Sequence, residues 1–124
     1  MGGELNVLLL DDEMSIHILV KDYLKDVYNV YSAYNIAEAK DLLHTYGNNF
    51  FQIYLVDMHL ESEFDGIEFA YEYLEDCKTI IISGYMTDVI RDKLVNMGIF
   101  AVFSKPFNLT ELFITMNSVI RCGK

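Results

Sequence analysis

Apolar residues recur along this chain in two rhythms. Five short runs are almost continuously apolar: Leu5–Leu10, Tyr28–Ala33, Phe51–Val56, Thr79–Ile82 and Phe100–Phe103. Runs of that length, bounded by polar residues, predict buried strands. Between them the apolar residues are spaced for helices. Ser15 to Asp26 places Ile16, Leu19, Val20, Tyr23 and Leu24 on one stripe, and Ala39, Leu42, Leu43 and Tyr46 form another. Ile67, Ala70 and Leu74 mark a third helix, Asp88 to Met97 a fourth, and the segment after Asn108, to about Arg121, a fifth. Asn35 with Glu38, and Asn108 with Glu111, have capping-box spacing, and Gly98 suits a helix C-terminus. Strands this uniformly apolar are buried on both faces. Strict alternation with helices therefore predicts an α/β fold: a doubly wound, five-stranded parallel sheet with five helices, in flavodoxin-like strand order 2-1-3-4-5.

Composition narrows the class. The chain has 124 residues, 52% of them apolar, with one proline and seven glycines. That suits a single domain over residues 1–124 and excludes disordered and collagen-like chains. The net charge of −10 opposes direct binding to nucleic acid or to an anionic membrane surface. No apolar run is long enough for a membrane span, and the start lacks the basic region of a secretory signal. Cys77 and Cys122 have no metal or redox spacing and read as incidental thiols in a reducing cytoplasm.

In open parallel sheets the functional crevice lies beyond the carboxyl ends of the strands. There the sequence places Asp11–Asp12–Glu13 after the first strand, Asp57 after the third, Ser83–Gly84 after the fourth and Lys105 after the fifth. Carboxylates gathered at one edge repel one another and need protons or a cation. An all-oxygen donor set without cysteine suits a hard ion, and Mg²⁺ fits best, leaving coordination positions for phosphate oxygens. A nearby lysine adds a point charge for phosphate. The chemistry that uses all of these is phosphoryl transfer to a carboxylate.

The motifs LLLDDE, IYLVDMHL, DG, IIISGY and FSKPF follow in that order, and on them the chain resembles the receiver domain of two-component response regulators over essentially its full length. The resemblance implies that Asp57 is the phospho-acceptor, receiving the group from a phosphohistidine. It implies that Asp12, Asp57 and the backbone carbonyl of His59 hold Mg²⁺, with Asp11 acting through water. Ser83 would donate a hydrogen bond to the phosphoryl group, Lys105 would pair with one of its oxygens, and Lys105–Pro106 would be a cis peptide. The implied partners are a histidine kinase or histidine phosphotransfer protein, docking near the first helix. A downstream partner or output domain stays unspecified, and a homodimer formed on phosphorylation stays open. The output would be a shift of the surface made by helix four, strand five and helix five. Such a protein is a switch rather than an enzyme with turnover on a diffusible substrate.

The chain departs from the family pattern in places. Glu61 stands where a proline is usual, and one extra residue separates Asp57 from Gly66, so this loop is expected to take its own path. Val102 occupies the position of the usual switch aromatic; alternation points Phe103 to the opposite face, leaving Phe100 or the helix near Thr87 to carry the readout. His59 and Tyr85 flank the expected pocket, and their bulk is expected to slow hydrolysis of an aspartyl phosphate. His17 and His44 are expected on solvated helix faces, and Phe69 and Tyr73 either in the core or on a partner surface. Two other readings stay open. One is a pseudo-receiver that binds partners without being phosphorylated. The other is a Mg²⁺-dependent phosphatase of haloacid-dehalogenase type, which wants a second acid where His59 stands.

Overall fold

The computed structural model describes residues 5–62 and 64–122. Strand β1 (Leu5–Leu10) leads to helix α1 (Met14–Leu24), β2 (Tyr28–Ala33) to α2 (Ile36–Tyr46), and β3 (Ile53–Asp57) to α3 (Asp65–Tyr73). Strand β4 (Thr79–Ser83) then precedes α4 (Asp88–Asn96), and β5 (Ala101–Ser104) precedes α5 (Leu109–Cys122). All strand pairs are parallel and the order is β2-β1-β3-β4-β5, both as expected. No helix among the described residues is long and apolar enough to cross a membrane.

The two faces of the sheet are buried in two separate clusters. Leu8, Leu10, Tyr54, Val56, Ile81 and Val102 point toward the side that carries Ala39, Leu43, Phe69, Ala70 and Leu94 from α2, α3 and α4. Val7, Leu9, Ile53, Leu55, Ile80 and Ile82 point toward Val20, Leu24, Leu112, Met116 and Val119 from α1 and α5. Alternate side chains of each strand feed opposite clusters, so each strand reads as a continuous apolar run. Phe69 belongs to the core, whereas Tyr73 is 40% exposed and stacks on Phe69 at 5.1 Å between ring centroids.

Capping follows the sequence. The Asn35 carboxamide accepts from Glu38 N–H at 2.8 Å and the Glu38 carboxylate from Tyr34 N–H at 2.7 Å. Asn108 accepts from Glu111 N–H at 2.9 Å, and Gly98 has φ +107° after α4, a conformation that favours glycine. Strand β3 starts at Ile53, two residues into its apolar run and after a 3₁₀ turn at Asn48–Phe50, and runs on to include Asp57 itself.

Helix α1 corrects the sequence reading. Its inward stripe is His17, Val20 and Leu24, whereas Leu19 is 54% and Tyr23 44% exposed. His17, expected on a solvated face, is buried. Its ring nitrogens lie 2.8 Å from Ser32 Oγ and 2.7 Å from the Asp11 carbonyl, and its ring centroid is 4.1 Å from that of Tyr34. An imidazole satisfied at both ends can enter a core that an unpaired one could not. His44 is exposed, as expected.

Candidate functional site

At the end of β1 the Asp11 N–H bonds to the Ala33 carbonyl at 3.1 Å, the last contact before the chain leaves the sheet. Asp11 is fully buried, and its Oδ1 accepts from Glu13 N–H at 2.8 Å. Its Oδ2 lies 3.0 Å from Lys105 Nζ as an ion pair, but without hydrogen-bond alignment. Asp12, next along, is exposed. Asp57 closes β3, 5% exposed, with Oδ1 accepting from His59 N–H at 3.1 Å and Oδ2 lying 3.4 Å from Lys105 Nζ. The same ammonium donates to Glu13 Oε1 at 2.6 Å. The Lys105–Pro106 peptide is cis, as expected.

Carboxylate oxygens of Asp11, Asp12 and Asp57 all lie within 4.8 Å of one another. Burial, followed by the charge of Asp11, pushes the Asp57 carboxyl up to about 6, although Lys105 and the His59 N–H pull it down. Burial alone would lower the Lys105 pKa, but Glu13, Asp11 and Asp57 outweigh it and raise the value. One ammonium therefore serves several carboxylates. The surplus negative charge, the poorly aligned Asp11 Oδ2 and the all-oxygen donor set fit a hard divalent cation.

Gly66 and Asp65 shape the approach to Asp57. A Cβ on Gly66 would meet the Asp57 carbonyl oxygen at 1.8 Å, and its N–H bonds to the Met58 carbonyl at 3.1 Å. Only glycine allows α3 to begin so close to the strand end. The Asp65 carboxylate accepts from the N–H groups of Leu60, Glu61 and Ser62 at 2.9, 2.8 and 3.1 Å. Burial would raise its pKa, but these backbone donors prevail and lower it. The loop that departs from the family pattern thus wraps around Asp65.

Ser83 is buried at the end of β4, beside Ser104 of β5. Its hydroxyl donates to the Tyr85 carbonyl at 2.7 Å and accepts from Tyr85 N–H at 3.0 Å, so it faces its own turn. Lys105 N–H bonds to the Ser83 carbonyl at 2.7 Å, which ties the two strand ends together. His59 is half-buried, its Nε2 buried without a hydrogen-bond partner and its ring 6.0 Å from Phe64, whereas Tyr85 is 65% exposed. Val102 is buried toward α4, and Phe103 lies on the opposite face, 6.4 Å from the Phe107 ring. From α4, Arg91 donates to the Val102 carbonyl at 2.7 Å and to Ser104 Oγ at 3.3 Å.

Of the residues that the sequence places at the site, Asp11, Asp12, Asp57 and Lys105 gather around one point, and Ser83 and His59 flank it. The sequence places Glu13 at the same strand end without a specific partner, and gives no site role to His17 or Asp65. Glu13 adjoins the acid pair, so adjacency was a usable signal; Asp65 and His17 are revealed only by their folded partners. A groove of about 630 Å³, lined by residues such as Leu5, Phe100 and Val119, opens at the opposite edge of the sheet.

Residues 7–117 match the family model for the response regulator receiver domain. A response regulator described as NtrX-like from Rickettsia typhi (strain ATCC VR-144 / Wilmington) is 32% identical over 127 residues, covering 98% of this chain and 26% of its own length. The chain thus spans about a quarter of that relative. The receiver domain of the Francisella response regulator 1452 superposes with a TM-score of 0.81 at 24% identity, covering 96% of this chain and 98% of that one. A Burkholderia pseudomallei response regulator, solved with a phosphorylated aspartic acid, calcium ion and citrate, has a TM-score of 0.72 at 22% identity, covering 96% of this chain and 71% of that one. Strand order, the acids at the strand ends and the match over most of the chain converge: this chain belongs to the response regulator receiver domain family of two-component systems.

Proposed function

We propose that residues 1–124 form one receiver domain of a phosphorelay, in which Asp57 accepts a phosphoryl group from a phosphohistidine on a histidine kinase or phosphotransfer protein. The observation that carries this reading is the placement of Asp57, buried at a strand end between an ammonium and two further carboxylates. An Asp57 carboxylate oxygen attacks phosphorus, the P–N bond to the donor imidazole breaks, and its electron pair stays on the departing nitrogen. Lys105, at 3.4 Å from Asp57 Oδ2, is in reach of an oxygen of the incoming group. Ser83 can supply a hydroxyl donor once that hydroxyl turns away from the Tyr85 carbonyl. Asp12, Asp57 and the His59 carbonyl would hold Mg²⁺, with Asp11 behind them. The ion, when bound, neutralises charge on the phosphoryl oxygens.

The domain acts as a cytoplasmic signalling module rather than an enzyme turning over a diffusible substrate. The phosphoryl group shifts its conformational equilibrium only by interacting differently with the two states. Arg91, which links α4 to β5 beside Lys105, gives the α4–β5–α5 surface a mechanical connection that does not need an aromatic at Val102. His59, two residues past Asp57, and Tyr85, two residues past Ser83, stand at neighbouring strand ends, where their side chains screen the aspartyl phosphate from water. Mass spectrometry after incubation with acetyl phosphate and Mg²⁺ tests the reading: the wild type gains a phosphoryl group and Asp57→Asn does not. Wild type that gains none reverts the assignment to a binding module.

A further inference from the structure

We propose that His17 is a positioning residue for the acidic site, holding the Asp11–Asp12 peptide through an Nε2–H bond to the Asp11 carbonyl while Ser32 fixes the ring. This deepens the function proposed above and rests on that reading.

The carbonyl settles the tautomer. A carbonyl oxygen can only accept, so at 2.7 Å from it the Nε2 of His17 must carry a proton. In the neutral imidazole Nδ1 is then the acceptor, and the Ser32 hydroxyl, 2.8 Å away, must donate to it. A directed relay results, from the Ser32 hydroxyl through the imidazole to the Asp11 carbonyl. It links β2, α1 and the end of β1. Burial of His17 and the Tyr34 ring packed at 4.1 Å leave the imidazole little freedom to turn. Burial, the largest influence on its pKa, also favours the neutral form.

The relay acts where the sheet stops supplying partners. The N–H of Asp11, just past β1, makes the last bond to β2, and the Asp11 carbonyl lies beyond it in a fully buried residue. That carbonyl's direction fixes the Asp11–Asp12 peptide plane, and with it the Asp12 N and Cα from which the carboxylate projects. Of the three clustered acids, Asp12 is the one exposed to solvent and so the least constrained by packing. A donor fixed on the peptide before it supplies the missing constraint. Groups that orient metal ligands in this way commonly alter metal affinity by about 10- to 100-fold when removed.

The test compares His17→Gln with His17→Asn. The Gln amide nitrogen can reach the position of Nε2, whereas the shorter Asn places its nitrogen near Nδ1. Binding of Mg²⁺ to the unphosphorylated protein is measured by calorimetry, with the folded fraction checked by circular dichroism. His17→Asn should weaken Mg²⁺ binding by about tenfold, and His17→Gln should recover most of the loss. A general packing defect would lower both alike, so equal affinities for the two variants overturn the assignment. Ser32→Ala, on a half-exposed strand residue, serves if both variants fail to fold: it should weaken Mg²⁺ binding by up to about tenfold, and an unchanged affinity overturns the assignment. Nitrogen chemical shifts of the metal-free wild type should show Nε2 protonated and Nδ1 bare; the opposite tautomer overturns it as well. Wild type that binds no Mg²⁺ and takes up no phosphoryl group overturns the underlying function too. Wild type that does both while the variants match it overturns the role of His17 alone.

Discussion

Lys105 lies closer to Glu13 than to Asp57: its ammonium is 2.6 Å from Glu13 Oε1 and 3.4 Å from Asp57 Oδ2. The short contact is to a carboxylate 52% exposed, and the longer ones reach carboxylates that are almost fully buried. Water screens the first and hardly screens the others. Distance therefore ranks these contacts in the wrong order of energetic weight.

Glu13→Gln should change stability by less than about 1 kcal/mol, as exposed pairs do. Lys105→Met should cost about 3–5 kcal/mol at neutral pH, because it leaves Asp11 and Asp57 buried without their cation. The cost should shrink in an Asp57→Asn background, since one stranded charge is then gone. Urea unfolding of the single and double variants measures each difference.

Stability in EDTA should fall as pH rises from about 4 to about 6. The Asp57 carboxyl stands at about 6 in the folded chain against an ordinary 3.8, so within that window the folded state holds a proton that the unfolded state has lost. The folded state binds more protons there, which makes the slope of stability against pH negative for this group. Above that window the full cost persists. Asp57→Asn should therefore stabilise the metal-free protein at pH 7 by on the order of 2–3 kcal/mol, with the gain vanishing below about pH 4. Unfolding curves of both proteins across this range supply the comparison.

Mg²⁺ should reverse much of that cost. At a hundredfold excess over its dissociation constant, a ligand of the folded state alone stabilises by about 2.7 kcal/mol. The thermal midpoint of the wild type should rise with MgCl₂ and return to its starting value with EDTA, and Asp12→Asn should blunt the response. An equal rise in NaCl of matched ionic strength would reduce the effect to screening.

Gly66→Ala should destabilise by about 3 kcal/mol or more, because the new methyl would overlap the Asp57 carbonyl at 1.8 Å. Relief requires α3 to retreat from β3, carrying the Asp65-anchored loop with it. Loss of Mg²⁺ response in whatever fraction stays folded would accompany the drop in unfolding midpoint. Gly84→Ala, where a Cβ meets nothing within 4 Å, provides the control.

Arg91→Ala should loosen α4 locally. Removing the donors to the Val102 carbonyl and Ser104 hydroxyl takes away charge-assisted bonds of about 1.5–3 kcal/mol each at most. Hydrogen exchange should quicken in α4 while β1 and β3 keep their protection. Uniform acceleration across all the strands would instead indicate a global loss of stability.

The order of elements, the parallel sheet and the edge that gathers the acids are all legible in the sequence. Those features follow from periodicity, from capping residues such as Asn35 and Asn108, and from the rule that strand ends converge. The sequence also placed Asp11, Asp12, Asp57 and Lys105 at that edge, because each stands within two residues of the end of an apolar run whose direction the fold sets. What it could not determine were pairings between distant positions. His17 looked like a solvated helix residue because its partners, the Asp11 carbonyl and Ser32, come together only when β1, β2 and α1 pack. Asp65 stood out only as part of the DG motif, because the loop N–H groups that close on it come together only in the fold. Glu13 became the closest partner of a lysine 92 residues away, and Ser83 faced its own turn rather than the acids. Which runs become strands and which become helices is set by local pattern and survives in the sequence. The direction of a hydrogen bond or an ion pair depends on ångström-scale placement of groups from separate elements, and only the tertiary structure decides that.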